Sequence, residues 1–60
     1  MQKWVRVPKA GEFRGEGEWM KLEDYAKGYH PKLTEQEVWA ALLRTDYLPI
    51  VESDEYPKPN

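Results

Sequence analysis

The segment TEQEVWAALLRT, Thr34 to Thr45, constrains the chain more than any other. Thr34 is a natural N-cap and Glu37 stands three positions on, so the pair completes a capping box, with Leu33 and Val38 placed as a hydrophobic staple. The spacing predicts a helix with a fixed start. At ~100° per residue, Ala41, Thr45, Val38, Leu42, Trp39 and Leu43 spread over roughly 200° of its circumference, whereas a surface helix commonly buries a stripe of just over ~100°. The surplus predicts a second contact besides the chain's own core.

How large that core can be follows from length. At 60 residues the chain forms one small domain, and a domain of this size buries only about 60% of the surface its unfolded form exposes. Without cysteine it has neither disulfides nor thiolate metal ligands to reinforce it, and that composition suits a reducing compartment. The longest apolar run, Val38 to Leu43, is far short of the ~20 residues a bilayer requires, and MQKWVRVPK has no continuous apolar signal segment. A soluble cytoplasmic protein without a membrane partner is expected.

Residues 3–7, Lys3-Trp4-Val5-Arg6-Val7, carry β-favouring side chains in a pattern that suits a half-buried strand, ended by Pro8. Ala10-Gly11 is a turn, and residues 12–19 are expected to return as the second strand of a hairpin. Met20 to Lys27 follows as a short helix, with Leu22, Tyr25 and Ala26 on one side and Gly28 at C′. Pro31 turns the chain through GYHPK, since it disfavours α geometry at His30. After the second helix, Leu48 to Val51 can lie beside the amino-terminal strand and close the sheet. The expected fold is therefore a small α+β, winged-helix-like domain over residues 1–55, with 56–60 as an extended or frayed tail.

This order of features resembles the small phage excisionases, or recombination directionality factors. The likeness covers residues 19–55: a helix carrying Leu22, Glu23 and Tyr25, a proline-bearing turn, a second helix introduced by Leu33-Thr34, then Leu48-Pro49-Ile50. The resemblance implies a compact winged helix that bends DNA and recruits a recombinase. Where that family presents arginines to the major groove, this helix has Gln36, Glu37, Trp39, Ala40, Leu43 and only one basic residue, Arg44.

Charge weighs on the choice between DNA and protein as partner. From Leu22 onward there are four basic and eight acidic residues, a poor match to phosphates, whose binding draws its strength from Lys and Arg. The expected function is accordingly a non-enzymatic protein-binding module, a phage-like inhibitor or adaptor. Trp39 and Leu43 are its apolar anchors, Gln36 and Arg44 the neighbouring polar contacts, and Glu52, Asp54 and Glu55 an acidic rim facing a basic partner. The competing reading puts Trp39 and Leu43 in the core and leaves the acids as a solvated tail. A homodimer would also satisfy the surplus face.

The alternative function, an excisionase-like DNA-binding factor, would use Lys3, Arg6, Lys9, Arg14, Gln36 and Arg44, with Trp4 and Phe13 available for stacking. Catalysis is not expected. Ser53 is the only serine and His30 the only histidine, no phosphate-binding glycine loop occurs, and neither a cofactor nor a metal site is indicated.

Overall fold

The computed structural model describes residues 1–13 and 16–57. Three antiparallel strands and two helices follow in the order β1 (Lys3–Val7), β2 (Glu18–Lys21), α1 (Leu22–Tyr29), α2 (Glu35–Thr45) and β3 (Ile50–Glu52). β1 is central in the order β2-β1-β3. Its register pairs Val7 with Glu18 and Trp4 with Lys21 on one side, and Lys3 with Glu52 and Val5 with Ile50 on the other. The chain is thus a small α+β domain of winged-helix-like architecture, with the expected closing strand in place.

One face of the sheet carries the main core. Val5 is fully buried and clusters with Leu22, Tyr25, Ala26, Val38, Leu42 and Leu48, while Val7, Met20, Trp39 and Ile50 pack around them. The spacing of Leu22, Tyr25 and Ala26 in α1, and of Val38 and Leu42 in α2, gives each helix one inward stripe. No charged or polar residue among those described is buried with this cluster.

Two element boundaries differ from expectation. The second strand does not start at residue 12. Instead the chain makes local turns: Glu12 N–H donates to the Lys9 carbonyl at 2.9 Å, and the Glu12 and Glu16 carboxylates accept from the Lys9 and Phe13 amides at 2.6 and 2.7 Å. Gly17, at φ +99°, then swings the chain back into β2. α1 correspondingly begins at Leu22 and continues through Gly28, which is an interior residue rather than C′. It ends at His30, whose N–H reaches the Ala26 carbonyl and whose backbone (φ −138°, ψ 63°) has left the α region that the following Pro31 disfavours.

α2 has the expected capping box. Thr34 Oγ1 accepts from the Glu37 amide at 3.1 Å and Glu37 Oε1 accepts from the Thr34 amide at 2.9 Å. At the other end Asp46 adopts the left-handed conformation (φ 52°) and donates its N–H to Leu42. The Thr34 amide first, and its hydroxyl second, hold the Glu37 carboxyl below the ordinary carboxylate value. A carboxyl shifted downward stabilises the fold above its unfolded pKa, and that contribution disappears as pH falls through the folded value. Thr34→Ala is expected to cost about 1 kcal/mol in urea unfolding, and acid titration of wild type should move the Thr34 amide resonance with the Glu37 carboxyl.

The opposite face of the sheet is also covered. Trp4 is only 7% exposed although it lies outside the main cluster. Its indole N–H donates to the Ser53 carbonyl at 2.8 Å, and Tyr56 meets its ring edge-on at a centroid distance of 5.6 Å. The Tyr56 hydroxyl accepts the Trp19 amide of β2 at 3.0 Å. Residues 53–57 therefore cross the sheet as a strap from one edge strand to the other, so that Tyr56, at the start of the segment expected as an extended or frayed tail, packs on the sheet. Residues 58–60, also expected in that tail, lie outside the described chain.

Candidate docking face on the second helix

Because Val38 and Leu42 turn α2 inward, the residues on its other side are presented outward. Leu43 is 62% exposed, Gln36, Ala40 and Arg44 are exposed, and Trp39 sits half-buried at the margin between core and surface. Trp39 and Leu43 are thus neither both core nor both free. Together with Gln36 and Ala40 they form one wall of an open groove of about 500 Å³.

The other wall comes from the start of β1 and the junction of β2 with α1. Met1, Gln2 and Lys3 contribute from the first, and Lys21, Leu22 and Glu23 from the second, while Glu35 lies at the start of α2. These residues gave no sign in the sequence of belonging with Trp39. They arrive because β2 runs into α1 without a loop and β1 is central, so both chain segments end beside α2. Ala40 was legible in principle, since it falls four residues after Gln36 and one turn from Leu43.

Electrostatics across this face are mixed. The Lys3 ammonium lies 5.7 Å from the centre of the Trp39 ring, a cation–π arrangement that steadies the indole. Glu52 is opposite Lys3 in the β1–β3 register, and the amino-terminal ammonium is 3.9 Å from Asp54. Both of its partners are largely exposed, so this pair contributes little. Asp54 is thereby linked through Met1 to the groove, whereas the Glu55 amide turns back to Ser53 Oγ at 3.2 Å. Arg44 flanks the groove rather than lining it.

The basic residues of the alternative DNA-binding set do not converge in the same way. Lys3 and Arg6 leave opposite faces of β1: Lys3 reaches Trp39, while Arg6 lies over Trp19 at 5.8 Å and donates from Nε to the Gly17 carbonyl at 3.2 Å. Lys9 pairs with Glu18 at 3.8 Å. Trp4, the ring that was to stack on bases, is buried beneath Tyr56, and Phe13 stands 81% exposed. Arg14 lies outside the described residues. Gln36 and Arg44 remain available on α2.

Elsewhere, Tyr25 stacks on Tyr29 at 5.0 Å and meets His30 edge-on at 5.6 Å. Burial foremost, then the neighbouring Tyr47 and Tyr29, pushes the Tyr25 phenol above its ordinary value. That shift follows from packing and supplies no base for a nucleophile. Among the described residues no group of three or more His, Asp or Glu side chains is placed to hold a metal ion, and no helix is long and apolar enough to cross a membrane. Comparison with protein-family models, curated proteins and solved structures yields no match to this chain.

Proposed function

We propose that this chain is a non-enzymatic docking module, an inhibitor or adaptor that grips a protein through the outward side of α2. The observation that carries the reading is the exposure of Leu43 beside half-buried Trp39 on one groove of a helix whose opposite side already completes the core. Tryptophan at such a margin supplies stiff area that binding can desolvate. The partner chemistry suggested by the surroundings is an apolar side chain flanked by basic groups. Glu23 and Glu35 stand on the groove walls, and Glu52, Asp54 and Glu55 extend the acidic surface past Lys3 and Met1, where they would steer approach.

Leu43→Asp tests this directly. Through lower helix propensity and a negative charge in the last turn it should cost roughly 1 kcal/mol of stability and leave the fold intact, yet retention of a partner by the tethered chain should drop about tenfold or more. Unchanged retention with an intact fold would remove the face from consideration. Binding to duplex DNA that weakens steeply with added salt would favour the excisionase-like alternative through Gln36 and Arg44.

A further inference from the structure

The partner chemistry just described, an apolar side chain beside a basic one, is present on the chain itself at Leu43 and Arg44. Resting on the docking reading above, we infer that the occupant of this face is a second copy of the chain, packed antiparallel through α2 about a two-fold axis at Ala40.

Three observations carry this. The outward side of α2 has its smallest residue, Ala40, at the centre, with Gln36 and Glu37 on the preceding turn and Leu43 and Arg44 on the following one. An alanine at the crossing point allows two helices to approach at the ~8–10 Å typical of packed pairs. The charge distribution is self-complementary when reversed: Glu35 and Glu37 occupy the first turn and Arg44 the last. Among the described residues Arg44 forms no ion pair.

A two-fold axis at Ala40 places each residue opposite one about equally far beyond it on the other helix. Leu43 of each copy then enters the space between Gln36 and Trp39 of the other, filling the groove. Arg44 falls within about one residue rise, ~1.5 Å along the axis, of the second copy's Glu37. Glu37 and Arg44 also lie on the same flank of α2, as an antiparallel pair requires. A parallel pair would set Arg44 against its own copy. Every contact occurs twice because the interface is isologous.

Position 40 is the decisive test, because it meets itself. Sedimentation of the wild-type chain from roughly 10 μM to 1 mM should show a concentration-dependent dimer, as suits a small interface. Ala40→Glu and Ala40→Lys keep good helix formers at an exposed site, yet each should weaken self-association about tenfold or more through like charges at the axis. Mixing the two variants in equal amounts should restore the dimer, since each copy can then pair with one of opposite sign at the axis. Arg44→Glu should weaken it through repulsion from Glu37.

A wild-type chain that stays monomeric throughout would overturn the inference, as would a mixture no more associated than its separate components. Circular dichroism of each variant confirms that loss of dimer is not loss of fold. The docking reading fails separately. Monomeric wild type whose capture of another protein still depends on Leu43 would exclude the second copy and leave docking standing. A dimer obeying the mixing rule, with capture indifferent to Leu43→Asp, would do the reverse.

Discussion

Trp4→Ala is expected to leave a large fraction of the molecules unfolded at 25 °C. Trp4 lies at the middle of the sheet's second face, 7% exposed, paired across the strands with Lys21 and Val51, bonded to Ser53 and covered by Tyr56. Truncating a buried tryptophan to alanine costs ~3–5 kcal/mol, while a domain of this length has roughly 3 to 9 kcal/mol of stability in all. The same substitution releases the strap, because Tyr56 loses the ring it rests on. Urea unfolding followed by circular dichroism measures the effect. A cost near 1 kcal/mol would mean that the second face contributes little and that β1 is held by its strand pairing and the helix-side core.

Gly17→Ala should be nearly as damaging, and for a different reason. The backbone there is at φ +99°, and a Cβ built on it would lie 2.1 Å from the Val7 carbonyl oxygen and 2.8 Å from Pro8 Cα. Those are backbone atoms at the end of β1 and just beyond it, so relief requires the β1–β2 pairing itself to move. Left-handed strain alone costs about 1 kcal/mol or more, and the clash adds to it; a loss of at least ~2 kcal/mol is expected. Gly28→Ala provides the opposite control. That glycine is inside α1 with nothing within 4 Å of the added methyl, so replacement should stabilise the protein by ~0.5–1 kcal/mol and raise its melting temperature by several degrees. If both variants behaved alike, the turn at Gly17 would be wrongly described.

The helices and the sheet were differently legible in the sequence. α2 could be read almost to the residue, because its start is encoded by side chains three positions apart, Thr34 and Glu37, whose interaction is local. β1 and the closing role of β3 were also readable from β-prone runs. The start of β2 was not. It depends on Gly17 turning where Val7 approaches it, a contact between segments that no local pattern declares. α1 extended past Gly28 because propensity is a weak preference: with Lys27 and Tyr29 continuing the turn, one glycine did not end the helix and Pro31 did.

The candidate site divides along the same line. Trp39 and Leu43 could be singled out from the breadth of the apolar arc on α2, and they do border one groove with Gln36. Their groove companions Met1, Lys3 and Lys21 could not, since only strand order brings them there. Trp4 and Tyr56 show a related limit. Adjacent apolar residues Trp4 and Val5 must face opposite sides of a strand, which calls for cover on both, but nothing near Trp4 in sequence identifies Ser53 and Tyr56 as that cover.

The long reach of the strap also bears on synthesis. Trp4 finds its carbonyl acceptor 49 positions later, and β1 gains its second neighbour only with residues 50–52. A chain emerging from the ribosome can therefore pair β1 with β2 early, yet it displays the Trp4 indole and the other edge of β1 until residues 50–56 have been made. Translation would have to deliver residues 50–56 before the three-stranded sheet is complete and its second face covered, which leaves that face open to chaperones and to neighbouring nascent chains during the interval.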